Sequence, residues 1–169
     1  MTPRPVRQMN VSYLFAGAPR KADLRACFSQ LIANFNACDE FDFSVDLAMD
    51  EVDLLRGGQA HYLLDAGRRA AYLARLRAVV EVLINSPPCD TFTRARHSGM
   101  PGPPPVRDWQ RQRGFNNLAP WAQKSVEDAN TLADFALEAM HVAADAGVLA
   151  VLAFSEDLGR TRCGTPASL

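Results

Sequence analysis

Val79-Val80-Glu81-Val82-Leu83-Ile84-Asn85-Ser86-Pro87-Pro88-Cys89 carries an apolar run straight into a double-proline turn. Residues 79–84 read as a buried parallel strand. The two prolines fix φ near −65° and remove two backbone donors, so the chain must leave the sheet there. Cys89 is thereby presented in a defined direction at the carboxyl end of a strand, where open α/β sheets bind their ligands. The same turn also suits a plain strand ending over a buried thiol, since cysteine is among the most buried residue types.

Working outward, strands and helices alternate. Residues 11–15 form a short apolar strand candidate, followed by the turn Ala16-Gly17-Ala18-Pro19. A helix over about residues 21–35 comes next, its stripe made of Leu24, Cys27, Phe28, Leu31, Ile32 and Phe35. Cys27 on that stripe reads as core. Phe41-Asp42-Phe43-Ser44-Val45-Asp46 alternates with period two and reads as a second strand ending in an acid. Gly57-Gly58 breaks the chain, residues 61–64 suit a short third strand ending at Asp65, and residues 68–78 read as a helix. The run before Pro87 is then the fourth strand. Residues 90–121 carry three glycines and five prolines, which predicts a long irregular loop of the kind used as a lid or binding loop. A helix over residues 123–146 ends at Gly147, and residues 148–154 make a fifth strand.

This alternation predicts an α/β fold: a doubly wound, mainly parallel, five-stranded Rossmann-like sheet of order 3-2-1-4-5. Its ligand crevice would lie between strands one and four, the topological switch point. The expected organisation is a tail over residues 1–10, one domain over 11–159 and a second tail over 160–169. The 169 residues, 48% hydrophobic, are enough for one full core, and the net charge of −1 predicts no global attraction to nucleic acid or membrane. Neither a membrane-spanning run nor a signal peptide is apparent, which points to an intracellular protein. Cys27, Cys38, Cys89 and Cys163 show neither CxxC nor metal-ligand spacing, so free thiols and no metal site are expected.

Two motifs resemble a known family. Leu14-Phe15-Ala16-Gly17 is similar to the first motif of cytosine-C5 DNA methyltransferases, and Pro87-Pro88-Cys89 followed by Phe92 resembles their catalytic Pro-Cys motif. The string from Ser86 to Arg96, the loop Gly102-Pro103-Pro104-Pro105-Val106-Arg107 and the turn Glu156-Asp157-Leu158-Gly159 also resemble a group of truncated methyltransferase-like proteins with a Pro-Pro-Cys loop. The likeness covers roughly residues 11–159 and is sharpest at the cysteine loop. It implies a methyltransferase-like sheet lacking the last strands and S-adenosylmethionine as cofactor. It implies DNA or another cytosine-containing nucleic acid as substrate.

In such enzymes a cysteine thiolate attacks C6 of a flipped-out cytosine, making C5 nucleophilic towards the methyl donor. The resemblance assigns that attack to Cys89, preceded by Pro88, with Arg94 or Arg96 stabilising the thiolate. It places the cofactor over Phe15, Ala16, Gly17 and Pro87. Asp46, with Asp50 as rival, would hold the ribose hydroxyls, and Asp65 the adenine amino group. Where the family ends its fifth strand in Glu-Asn-Val, this chain has Ala153-Phe154, and Glu156 or Asp157 is the nearest replacement. The alternative is therefore a catalytically inactive relative, or a fragment, that retains only nucleotide or nucleic-acid binding. In a fragment the fifth strand is an edge open to self-association or to a partner chain.

Residues 90–124 add a second candidate surface. They hold six Arg or Lys against two acids, interleaved with Phe92, Trp109, Phe115 and Trp121. Cations alternating with stacking rings suit unpaired nucleotides, and Arg107, Arg111 and Arg113 are the expected phosphate contacts. A solvated loop whose aromatic residues pin it to the domain has the same composition.

Overall fold

Val6–Leu14 (β1) pairs in parallel with Ser44–Val52 (β2) along its whole length, Val6 opposite Ser44 and Leu14 opposite Val52. The computed structural model describes residues 4–18, 20–21, 23–38, 40–93, 96 and 101–154. They fall into two compact units, one of Met1–Ser86 with Glu138–Leu152 and one of Pro87–Leu137 with Ala153–Leu169.

The first unit is built on a parallel sheet of four strands in the order β2-β1-β3-β4, where β3 is Val82–Asn85 and β4 is Leu149–Leu152. Its longer helices are α1 (Leu24–Ala37) and α3 (Ala66–Val79), with the short α2 (Leu54–Gly57) and a 3-10 turn (Gly58–His61) between β2 and α3. Adjacent residues of a strand point to opposite faces. Glu51 meets Arg25 of α1, whereas its neighbour Asp50 meets Arg75 of α3, so α1 and α3 cover opposite faces. Val11, Leu14, Leu76 and Leu83 are fully buried between these layers, with Ala139 and Ala143 from the last helix, α4 (Pro120–Asp145). That helix stops where predicted: Gly147 takes φ 71°, and Val148 N–H closes back on Ala143 O at 2.8 Å.

The order matches the sequence reading with one strand removed. Residues 61–64 form no strand: they continue from the 3-10 turn into a bend that ends at Asp65. Within the segment, Arg69 donates to the oxygens of Leu63 and Leu64, and the Asp65 N–H to that of Tyr62. With those carbonyls satisfied locally, the segment gains less from a place beside β2. The second strand also starts later than expected. Phe41 and Phe43 stack with Phe35, centroids 4.6 and 5.6 Å away, in the connection before β2. Asn36 then fixes the strand's start through two hydrogen bonds to the Val45 backbone. β1 begins earlier than its apolar half suggested, because Arg7, Gln8 and Asn10 sit on its more exposed, amino-terminal half. Cys27 is exposed, not core, and α1 buries no residue fully.

The second unit turns the Pro-rich segment into a packed body. Val106, Ala122 and Val126 form its apolar centre, with Leu118 against them. Gly114, at φ 110°, lies so close to Val126 that an added Cβ would come within 2.6 Å of its side chain. Phe115 N–H donates to Val106 O, tying the two ends of this loop together.

Candidate functional site

In the first unit, β1 runs out into a tight turn. Phe15 N–H still reaches Val52 O at 2.8 Å, but Phe15 itself has φ 62° and Gly17 has φ 68°. Both backbone groups of Gly17 are engaged by the segment that follows β2: its N–H donates to Asp53 Oδ2 (3.1 Å), and its carbonyl accepts from Arg56 Nε (2.8 Å). Arg56 is nearly buried and also pairs with Glu51 (2.8 Å) and Asp23 (3.3 Å). Asp23 caps α1, and the Ala26 N–H on its carboxylate, with Arg56, holds its pKa below the ordinary value. Glu51 accepts from Arg25 and Arg56 through Oε2, while Oε1 is buried without a hydrogen-bond partner.

The acids expected to meet an adenosyl cofactor stand elsewhere. Asp46 is the third residue of β2, opposite Gln8 and exposed, not at the strand's carboxyl end. The rival Asp50 is paired with Arg75. Asp65 caps α3, accepting from Arg68 N–H at 2.8 Å. Asp53, the residue that follows β2, was missed because the strand expected from sequence ends at Asp46, six residues before the observed end at Val52. Phe15 is buried, Ala16 half-buried, and Pro87 is buried in the second unit. The set Phe15, Ala16, Gly17, Asp46, Asp65 and Pro87 therefore does not fit S-adenosylmethionine: two of its acids are misplaced, and the glycine's donor and acceptor are already used.

In the second unit the cysteine turn is firmly braced. Pro87 is buried, Pro88 and Cys89 are exposed, and Phe92 N–H closes the turn on Cys89 O at 2.9 Å. Behind it lies Arg107, only 1% exposed, whose guanidinium stacks 3.7 Å from the Phe92 ring centroid. It donates to Thr91 Oγ1 (2.9 Å), Asn130 Oδ1 (2.9 Å) and Gln112 O (2.6 Å). Burial pushes its pKa down to about 10, partly offset by Asp90, so it stays charged at neutral pH. Arg107 is thus an internal brace, not a phosphate contact. Arg96 links the turn to the Pro-rich segment, donating to Asp90 O (2.6 Å) and Pro104 O (3.2 Å) and pairing with the Asp90 carboxylate. Arg94 lies outside the described residues, as do Cys163, Glu156 and Asp157.

The other expected cations are matched as well. Arg111 pairs with Asp108 and stacks on Phe115, and Arg113 makes a bidentate pair with Asp134, both contacts 2.8 Å. Residues 90–124 look basic in a window count because Asp128 and Asp134, which neutralise Lys124 and Arg113, lie just beyond it. Among the described residues, no group of three His, Cys, Asp or Glu side chains is arranged to hold a metal ion. No helix among them is long and apolar enough to cross a membrane. Comparison of the chain with protein-family models, curated proteins and solved structures gave no match.

Proposed function

We propose that this chain is a methyltransferase-like α/β domain of the cytosine-C5 type whose working group is the Cys89 thiol. The observation that carries the reading is the cysteine turn itself: an exposed thiol between a buried proline and an aromatic ring clamped by Arg107. The parallel order β2-β1-β3-β4 is compatible with it, since a Rossmann-like sheet lacking its outer strands has that order. The reaction assigned to Cys89 is addition of the thiolate to C6 of cytosine. The C5–C6 π pair becomes nucleophilic at C5, which takes a proton from solvent. Loss of the original C5 proton and expulsion of the thiolate then restore the ring.

This half-reaction needs no methyl donor, so it is tested alone. Cytosine-containing single strands incubated with the protein in deuterium oxide should exchange the C5 hydrogen, read by proton NMR, and Cys89→Ala should abolish the exchange. Absence of exchange in the wild-type protein would sink the thiol chemistry.

A second reading has its own support. The engagement of Gly17 by Asp53 and Arg56, with Ala153 in place of the family's acid, favours a relative that does not transfer methyl groups. Incubation of the protein with S-adenosylmethionine carrying a labelled methyl group and a cytosine-containing strand separates the two: on this second reading no label enters the strand, and labelled 5-methylcytosine rejects it.

A further inference from the structure

In the first unit two rows of side chains run across the sheet on the face that α1 packs against. One is Met49, Val11, Val82 and Leu149; the other is Glu51, Tyr13, Ile84 and Val151. Along the first row exposure rises from 8% at Met49 and 1% at Val11 to 67% at Leu149, and Val151, ending the second, is 53% exposed. The opposite face of β1 and β3 is closed, with Ser12, Leu14, Leu83 and Asn85 all at 0%.

Topology explains the difference. The chain steps from β1 to β2 in one direction along the sheet, and from β2 to β3 and from β3 to β4 in the other. Right-handed crossovers put steps of opposite direction on opposite faces, so α3 and α4 share one face and α1 is the one long helix described on the other. Ser12 Oγ, 2.9 Å from the Tyr72 hydroxyl of α3, marks the closed face. α1 is tied to β2, through Arg25 on Glu51 and Asn36 on Val45, so its cover runs out beyond β1.

A parallel sheet is normally covered on both faces. Width and charge set what fits the bare strip over β3 and β4. Helices pack side by side about 8–10 Å apart, and two strands spaced about 4.8 Å are equally wide, so the strip takes one helix beside α1. Four residues of strand are about 13 Å long, the rise of about nine helical residues. A strip of that size is far short of the roughly 800 Å2 that each partner gives to a standard interface, which disfavours a second copy packed face to face. Tyr13, Val82, Ile84, Leu149 and Val151 carry no charge. The nearest charges are matched within the chain, Arg7 with Glu81 and Glu51 with Arg25 and Arg56. A charged group laid on the strip would lose water without compensation.

We propose that the strip over β3 and β4 docks an amphipathic helix of a partner polypeptide. An uncharged aliphatic stripe at i, i+3, i+4 and i+7 packs on Val82, Ile84, Leu149 and Val151. The docking is independent of the Cys89 chemistry.

The probe is a labelled synthetic helix with leucines at i, i+3, i+4 and i+7 on an alanine–glutamine background, compared with a scrambled peptide of the same composition. At protein concentrations where sedimentation gives a monomer, the striped peptide should bind at least about tenfold more tightly. It should also shift the methyl NMR resonances of Val82, Ile84, Leu149 and Val151. Leu149→Ser with Val151→Thr should weaken binding by about tenfold or more, whereas Leu31→Ser, at an exposed position of α1, should leave it unchanged. The methyl shifts are read in the unaltered protein, so they decide the matter even where the double variant unfolds. Binding of neither peptide, equal binding of both, or methyl shifts confined to other residues overturns the proposal. Dimerisation that shifts the same four residues without peptide gives the strip to a second copy and overturns it as well.

Discussion

Arg107 is the largest side chain fully buried among the described residues, and it shows how a single position changes meaning between sequence and structure. In a run of prolines beside other cations, an arginine reads as a phosphate contact. Here its guanidinium is shared by Thr91, Asn130 and Gln112 and lies on Phe92, so one residue holds the cysteine turn, the following loop and α4 together. Lysine cannot reproduce that fork: one ammonium replaces a planar group with donors in several directions. Arg107→Lys is expected to destabilise the protein by about 1–3 kcal/mol, since buried acceptors lose their donor. Urea denaturation measures this directly. The brace is refuted if the midpoint is unchanged while nucleic-acid affinity falls.

At the scale of elements, the two edges of the sheet differ. β2 carries Asp46, Asp50 and Glu51, whereas β4 and its flanks, Val148-Leu149-Ala150-Val151-Leu152-Ala153-Phe154, carry no charge and no proline. Leu149 and Val151 share a face with Val82 and Ile84, and they are exposed. An apolar edge without gatekeepers invites pairing with another strand. Sedimentation should therefore show concentration-dependent association, and Val151→Lys should remove it while shifting stability by less than about 0.5 kcal/mol. Identical sedimentation of the two proteins would exclude this edge. The strands that were legible were those with continuous apolar runs between clear breakers: β3 before Pro87 and β4 after Gly147. Those misread were governed by side-chain partners distant in sequence. Phe41 and Phe43 alternate like a strand but pack on Phe35, and residues 61–64 turn into α3, with Arg69 holding the carbonyls of Leu63 and Leu64. The candidate site divides the same way. Pro87, Pro88 and Cys89 stood out because backbone chemistry is local, whereas Asp53, Arg56 and the matched charges of α4 depend on register and tertiary pairing that no spacing rule contains.

For the whole molecule, long-range ties through carboxylates set how stability responds to acid. Glu81 receives the Asn10 N–H and Arg7, joining the start of β3 to β1. Asp23 joins α1 to Arg56, and Asp108 ties together its own loop in the second unit. In each case the donors lower the pKa: chiefly the Asn10 amide for Glu81, the Ala26 amide for Asp23 and the Arg111 side chain for Asp108. A carboxyl group whose pKa is lower in the folded state binds protons more readily when unfolded. Its stabilisation is complete above the ordinary values, 4.5 for Glu81 and 3.8 for the two aspartates, and fades as pH falls through the folded values below them. The denaturation midpoint should therefore be flat from neutral pH to about 5 and decline steadily beneath that. Asp23→Asn with Glu81→Gln removes two of the three ties, so this variant should be less stable than the wild type at pH 7, and the two curves should converge as acid removes the same interactions from the wild type. Curves that stay parallel down to pH 3 would place the acid sensitivity in other groups.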